Sequence, residues 1–382
     1  MGSPKTTNTR PYWRYVKSQR QDSFGIPPLK RDGVLHTDSK TKAAIMLDEF
    51  KSVFTQEYTS FIPQLNGPAF PHTPRFVIHK SGVDLLKLLQ KLDPNKATGP
   101  DNIPCRLLLN LSTELAPVIT ALISQSLETG TVPKDWTSAV ISPIYNKGDV
   151  HLATNYRPIS LTCVVCKVME HILSKHILDH LDKQQILTLY QHVFLKAHFC
   201  ESQLLVTLDN LMATYDRRSQ VDIGVLDFSR AFDTVPHARL LGKLQKQHYG
   251  IHGLILQWIQ SFLCHREMRV VVDGETSSTA LVDSVVPQGT VMGSLLFFLF
   301  INDLPEQVSP GTVTRLFADD CLMYLEINSA DYQVILQRDL TALVSWAKTW
   351  GMRFNPSKCT ILRSATPYHH SSTTTKCVVK HF

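Results

Sequence analysis

Long apolar runs are missing from this 382-residue sequence. The longest, Leu295–Ile301, is far shorter than the roughly 20 residues that a helix needs to cross a bilayer. The polar N-terminus also lacks the apolar segment of a secretory signal peptide. We therefore expect no membrane partner and a reduced intracellular compartment.

Cysteine is sparse, with 8 residues in the chain, which excludes a disulfide scaffold. Several of these thiols lie in apolar runs, where reduced core cysteines are expected. Cys163 and Cys166 have the spacing of zinc ligands, but no second pair accompanies them, so we expect no zinc site. The 17 Gly and 21 Pro are too few for a collagen-like or low-complexity chain. The 43% hydrophobic residues suffice for a folded core.

An excess of positive charge is missing from most of the chain. The net charge is +6, and residues 1–31 alone carry seven basic side chains against one acidic. The remainder is neutral, which excludes a histone-like polycation. Within the basic segment, residues 10–20 alternate aromatic and cationic side chains, a mixture that suits phosphate contact and base stacking. The alternative is a surface helix whose Trp13 and Val16 dock on the body. The candidate nucleic-acid contacts are Arg10, Trp13, Arg14, Lys17 and Arg20.

The length allows about two or three domains, and shifts in composition divide the chain. We predict a basic arm and linker over 1–75, a helical segment over 76–130, a larger α/β unit over 131–363 and a disordered Ser/Thr/His-rich tail over 364–382. The arm is expected to be extended up to residue 42. Apolar periodicity predicts helices over 43–55, from 81, and over 105–129, 164–183, 200–216, 289–301 and 336–350. It predicts strands over 138–145 and 222–227, a hairpin turning at Asp273-Gly274, and a strand–turn–strand over 312–325.

Three aspartates stand in surroundings that are wrong for solvated charges. Asp227 ends a mostly apolar strand, and Asp319 and Asp320 lie between apolar segments. A carboxylate at the end of a buried strand is costly unless a cation neutralises it. Two such strand ends brought together would attract hard divalent ions, most commonly magnesium. The alternative is that these residues only cap turns, and an Asp-Asp pair alone does not distinguish the two.

An ordered set of motifs narrows this choice, because the sequence resembles the reverse transcriptases of non-LTR (LINE-type) retrotransposons. The resemblance extends over roughly residues 10–362. The matching stretches, in family order, are residues 96–104, 142–149, 155–160, 225–235, 286–293, 317–320 and 350–359.

The resemblance implies a catalytic site built on the three aspartates. Asp227 and Asp319 would ligate two magnesium ions, with manganese as a possible substitute. The backbone carbonyl of Phe228 would assist, and Asp320 would be their neighbour. Lys358 is a candidate general acid toward the leaving pyrophosphate.

The resemblance also implies a nucleotide site. Lys147 and Arg157 would hold the incoming triphosphate, Phe232 would be the steric gate against a ribose 2′-hydroxyl, and Gln288 and Gly289 would line the pocket. Taken singly, Lys147 and Arg157 could be solvated surface charges. Phe232 could be a core residue, and Gln288 could merely begin a helix.

The implied fold is α+β, a right-hand polymerase with fingers and a palm whose antiparallel sheet is backed by helices. Residues 131–363 would be the reverse transcriptase domain and residues 76–130 its helical N-terminal extension. The implied activity is RNA-directed DNA polymerisation by two-metal phosphoryl transfer. Its partners would be an RNA template, a DNA primer and dNTPs, in the nucleus or the cytoplasm. The oligomeric state stays open.

Two rival functions stay open at this stage. One is a catalytically impaired, retrotransposon-derived RNA-binding remnant, and the other is an unrelated palm-type phosphotransferase. Family members usually carry an upstream endonuclease and a downstream thumb. We expect both to be missing, because the resemblance places the start of the chain within the linker that follows the endonuclease and because too few residues follow Lys358 for a thumb. The chain also departs from the family pattern at single positions. These are Asn146 (usually Lys), Val193 (Gly), Leu195 (Arg), Val285 (Gly) and Ser294 (Pro).

Overall fold

The protein is described by a computed structural model, which is mixed α/β. It describes residues 25–54, 63, 83–191, 199–245, 249–282, 284–327 and 329–364. The helices are α1 Ser39–Ser52, α2 Val83–Leu89, α3 Cys105–Asn110, α4 Ser112–Thr129, α5 Lys134–Thr137, α6 Val164–Lys183, α7 Cys200–Asp216, α8 His237–Gln245, α9 Gly253–Leu263, α10 Val291–Ile301 and α11 Ala330–Trp350. The strands are β1 Leu29–Arg31, β2 Val34–His36, β3 Ser138–Tyr145, β4 Tyr156–Leu161, β5 Gln220–Asp227, β6 Arg266–Val272, β7 Glu275–Thr276, β8 Ala280–Val282, β9 Val313–Phe317, β10 Asp320–Ile327 and β11 Thr360–Ser364.

A four-stranded antiparallel sheet with the order β11-β5-β10-β9 organises the C-terminal half. Side chains alternate between its faces. Leu226 of β5 and Met323 of β10 are buried on one face, whereas Val225 and Leu322 on the other are only partly buried. The register pairs Asp227 with Asp320, so both lie on the less buried face.

The main core covers the buried face of this sheet. Helix α10 is apolar on every side, and its residues from Leu295 to Ile301 are all buried, as expected for a helix enclosed by other elements. Apolar residues of α2, α4, α6, α9 and α11 join the same cluster. Helices α2, α3 and α4 therefore share one core with the sheet.

One ion pair lies inside this core. The Nζ of Lys243 in α8 donates to Asp303 at 2.5 Å and to the carbonyl of Phe300 at 2.7 Å. The ammonium also lies 3.8 Å from the ring centroid of Trp350 and 4.8 Å from that of Trp346. Both charged side chains are at most 5% exposed, so each depends on the other for compensation.

A second sheet, with the order β4-β3-β6-β7 and with β8 also paired to β6, has its own core. Strands β3 and β4 are antiparallel, whereas β3 and β6 are parallel. Helix α1 packs on this sheet through Met46 and Phe50 against residues such as Ile141 and Val270. A short hairpin of β1 and β2 precedes α1.

Several predicted bounds need correction. The segment up to residue 42 was predicted to be extended, but its described part contains β1, β2 and the start of α1. Helix α1 starts earlier than predicted because Asp38 caps it, accepting from Thr41 N at 2.8 Å. The single helix over 105–129 is divided at Leu111. The helix predicted from 289 begins at Val291, because Gly289 has a φ of 94° and Thr290 provides the cap.

Other elements agree with their predictions. Helices α6 and α7 have the predicted bounds, and the turn at Asp273-Gly274 joins β6 to β7. Most of residues 1–75 and the tail after residue 364 lie outside the described residues, so their predicted organisation stays a prediction. Among the described helices, none is both long and apolar enough to cross a membrane.

Candidate active site

Three carboxylates meet at one end of the four-stranded sheet. Asp227 is the last residue of β5 and Asp320 is the first of β10, and the two are cross-strand partners. Asp319 occupies the turn between β9 and β10 next to Ala318, whose φ of 53° lies in the left-handed region. Such strain at a non-glycine residue is often found at functional sites. The register therefore gathers the three aspartates singled out in the sequence.

Lys358 forms an ion pair with this group. Its Nζ donates to both carboxylate oxygens of Asp227, at 2.8 and 2.9 Å. The segment that carries it is fastened to the end of β5, because Asn355 N donates to the Asp227 carbonyl at 2.8 Å. Ring stacking of Phe354 on Phe228, with centroids 4.3 Å apart, adds a second attachment. The structure thus brings Lys358 to the carboxylates from 131 residues away.

The carboxylates influence one another electrostatically. Partial desolvation, together with the negative charges of Asp319 and Asp227, raises the pKa of Asp320. The cations Lys358 and Arg157 act in the opposite direction. The end of the sheet is therefore a site of concentrated negative charge with two basic side chains nearby.

The donor chemistry of this site suits a hard divalent cation. Carboxylate oxygens are the ligands that magnesium prefers, and water completes its shell. Within the described part of the chain, no three His, Cys, Asp or Glu side chains are already gathered closely enough to hold one ion. The Asp227 oxygens are engaged by Lys358. The three aspartates fit a metal as donors, and an ion at Asp227 would have to displace the ammonium.

Phe232 is connected to the loop that precedes α10. Its carbonyl accepts from Val286 N at 3.0 Å, and its ring stacks on Phe297 of α10 with centroids 4.4 Å apart. The packing role considered in the sequence is therefore present. The role of Phe232 as a steric gate stays a prediction.

Gln288 and Gly289 lie against strand β4. Ser160 N donates to the Gln288 carbonyl at 2.9 Å. Gly289 has a φ of 94°, and a Cβ there would lie 3.2 Å from the Ser160 carbonyl oxygen and from the Ile159 side chain. A side chain at this position would be strained by the φ, and β4 would have to yield by a few tenths of an ångström. The loop thus joins Phe232 to the strand that carries Arg157.

The two residues predicted to bind the triphosphate lie in the β3–β4 hairpin. Arg157 lies in β4 and is near enough to favour the charged forms of Asp320 and Asp233. Lys147 is exposed in the connection, where Tyr145 OH donates to the Gly148 carbonyl at 2.6 Å. Arg157 is thus brought toward the carboxylates, whereas no described contact links Lys147 to them.

The sequence interpretation missed two carboxyls with raised pKa values, the partly buried Asp233 and the fully buried Glu170. Burial raises the pKa of Asp233 to about 6, against the opposing charges of Arg230 and Arg157. Burial also raises the pKa of Glu170, which accepts from Met292 N at 2.9 Å and so fastens α6 to the start of α10. Asp233 had a detectable signal, because it follows Ala231 and Phe232 in an apolar stretch. Glu170 lies among apolar residues of α6 and had the same kind of signal.

Five predicted nucleic-acid contacts lie outside the described residues. They are Arg10, Trp13, Arg14, Lys17 and Arg20.

The chain matches a known protein family. Residues 144–375 match a family model described as reverse transcriptase (RNA-dependent DNA polymerase). This match covers well over half of the chain and includes Asp227, Asp319, Asp320 and Lys358.

The chain is also similar to several RNA-directed DNA polymerases of transposons. A probable RNA-directed DNA polymerase from transposon BS of Drosophila melanogaster is 26% identical over 380 residues, covering 93% of this chain and 41% of that protein. The RNA-directed DNA polymerase from mobile element jockey of the same species is 28% identical over 284 residues, covering 72% of this chain and 31% of that protein. A probable RNA-directed DNA polymerase from transposon X-element is 26% identical over 326 residues, covering 82% and 34%. The chain thus spans between about a third and two fifths of the length of these relatives.

Proposed function

Because the chain belongs to the reverse transcriptase (RNA-dependent DNA polymerase) family, we propose that it is the polymerase region of a non-LTR retrotransposon protein. The reaction is transfer of a nucleotide from a dNTP to a primer 3′-hydroxyl, directed by an RNA template. The observation that carries the proposal is the cross-strand pairing of Asp227 with Asp320 beside Asp319 and Lys358.

In this proposal the four-stranded sheet is the palm of a right-hand polymerase. Its less buried face, with Val225 and Leu322 beyond the aspartates, supports the primer end. The β3–β4 hairpin belongs to the fingers and presents Arg157 and Lys147 to the triphosphate. The buried face rests on α10, α11 and the rest of the main core.

Asp227, Asp319 and Asp320, with the Phe228 carbonyl, would hold two magnesium ions or, alternatively, manganese. When bound, these ions supply charge stabilisation to the in-line phosphoryl displacement. Lys358 leaves Asp227 when the site is loaded, and its ammonium is then free to give a proton to the departing pyrophosphate. The Lys358 side chain is partly exposed, and its segment is fastened to the end of β5 through Asn355.

The same proposal assigns the nucleotide pocket. Arg157 and Lys147 offset the negative charge of the triphosphate. The backbone of Gln288 and Gly289 forms a wall, because Gly289 leaves no side chain in the space beside β4. The ring of Phe232 is held by Phe297, and a rigid ring can reject a 2′-hydroxyl by steric clash.

Primer extension tests this proposal. The purified chain is given a radiolabelled DNA primer on an RNA template with dNTPs and magnesium. We expect extension by the wild type and a loss of at least about 100-fold in Asp319→Ala. The matched control is Asp331→Asn, an exposed aspartate at the start of α11, which is expected to extend normally.

Two results would contradict the proposal. Equal incorporation by the wild type and Asp319→Ala would show that the carboxylates are not the site. RNA binding without incorporation in either magnesium or manganese would favour the RNA-binding remnant.

A further inference from the structure

Helix α7 presents an apolar surface to solvent. We call this surface the α7 stripe, formed by Leu204, Leu205, Leu208, Met212 and Tyr215. Each of these residues is between 44% and 67% exposed. Scattered exposed apolar residues are common, but a continuous row along one helix marks an interaction site.

The opposite side of α7 is polar and faces the four-stranded sheet. Gln203 Nε2 donates to the Leu316 carbonyl at 3.2 Å, and Asn210 Nδ2 donates to the Tyr324 hydroxyl at 2.8 Å. Thr207 and Thr214 are buried on the same side. The helix is therefore oriented by hydrogen bonds with its apolar side outward, which is the reverse of an ordinary surface helix.

The spacing of the α7 stripe is that of a helix–helix seam. Leu205, Leu208, Met212 and Tyr215 are separated by three, four and three residues. This alternation places side chains along one line that a second helix can interlock with. The surface therefore fits an α-helix better than an extended segment.

The charges of α7 restrict which helix fits. Its charged residues are Glu201, Asp209 and Asp216, and it contains no Lys or Arg. Asp209 and Asp216 follow Leu205 and Met212 by four residues each, so they lie along one edge of the α7 stripe. A second copy of α7 would bring the same carboxylates to the seam. Charge complementarity instead favours a basic partner.

We propose that the α7 stripe docks an amphipathic helix of a second protein, in which an apolar seam is flanked by Lys or Arg. The inference does not depend on the proposed polymerase activity, because α7 contributes none of the residues assigned to that reaction. A failed docking test therefore leaves the primer-extension result unchanged.

Two synthetic peptides test the proposal. Both carry Leu at positions a and d of three heptads; one has Lys at the flanking e and g positions and the other has Glu. We expect the full chain to bind the Lys peptide at least tenfold more tightly in fluorescence anisotropy. The double variant Asp209→Lys/Asp216→Lys is expected to reverse this preference.

Apolar contact is tested separately. Leu208→Asp is expected to weaken binding of the Lys peptide at least tenfold. Its matched control, Val334→Asp, changes an exposed apolar residue of α11 and is expected to bind normally. Because both sites are exposed, circular dichroism should report an unchanged fold.

Three outcomes would overturn the proposal. The first is equal or absent binding of the two peptides. The second is a dimer of the chain in light scattering that Leu208→Asp dissociates, which would assign the α7 stripe to a second copy. The third is peptide binding only after removal of residues 1–20, which would assign it to the chain's own basic arm.

Discussion

Val285 is strained by its backbone, and its replacement by glycine tests the geometry of the loop before α10. Its φ is 109°, in the region that favours glycine, and a β-branched residue there is an outlier. The strain costs on the order of 1–3 kcal/mol. The loop holds it in place, because the Val285 carbonyl lies 2.8 Å from His237 Nε2.

Val286 is a matched neighbour for this test. It is fully buried, its φ is not positive, and its N donates to the Phe232 carbonyl. Replacing alanine by glycine at an ordinary position costs about 0.5–1 kcal/mol through backbone entropy. At position 285, glycine instead relieves about 1 kcal/mol of left-handed strain.

The expected result is a reversed order of stability. Val285→Gly should be about 1 kcal/mol more stable than Val285→Ala, whereas Val286→Gly should be about 1 kcal/mol less stable than Val286→Ala. Comparing glycine with alanine at one position cancels most of the loss of the buried valine side chain. The strain at Val285 thus predicts that the stability difference between glycine and alanine has opposite signs at positions 285 and 286.

Urea unfolding of the four variants provides the measurement. The midpoint and slope of each transition give the free energy of unfolding, and equal slopes indicate that the denatured states are comparable. If alanine is more stable than glycine at both positions, Val285 is not strained and the described loop conformation is wrong.

Three further predictions concern other parts of the molecule. Lys243→Met should destabilise the fold by about 3–5 kcal/mol in chemical denaturation because it leaves Asp303 buried and unpaired. Lys87→Met, which removes an exposed ion pair, should cost below about 0.5 kcal/mol, and similar losses in both would contradict this. The folded Asp233 carboxyl, with a pKa of about 6, keeps its proton to higher pH than the unfolded one, so the wild type should lose up to about 3 kcal/mol of stability as pH rises from about 4 to about 6. Asp233→Asn should not show this loss. An unchanged dependence of stability on pH in the variant would refute the prediction. Residues 1–20 include five cations, and deleting them should reduce the slope of log binding constant against log salt concentration for RNA by up to about 3–4. An unchanged slope would mean that the arm makes no phosphate contacts.

The sequence carried enough information to find the carboxylates of the candidate site. Asp227 was recognisable because it follows an apolar strand, and Asp319 and Asp320 because they interrupt one. Such patterns depend only on neighbouring residues in the sequence, and β5 and β10 could therefore be predicted from their own segments. The bounds of α6 agree for the same reason.

Long-range pairing could not be read from such patterns. Strand β11 was not predicted, since its pairing with β5 is not encoded in any local period. The bidentate contact between Lys358 and Asp227 depends on that pairing. For α7, the periodicity gave the bounds of the helix but not which face is covered, because hydrogen bonds to Leu316 and Tyr324 decide its orientation.

The order of the four-stranded sheet has a consequence for how the chain is made. Strand β5 lies at the centre, yet both of its neighbours, β10 and β11, are synthesised later. Asp227 and Lys358 are 131 residues apart, and translation at about 5–20 residues per second takes on the order of 10 s to cover that distance. Both edges of β5 lack partners until β10 is made, and one edge stays open until β11 follows. Unpaired edges promote aggregation. A nascent chain that ends before β11 therefore retains an open edge beside Asp227, so chaperone protection during translation matters most between these two residues.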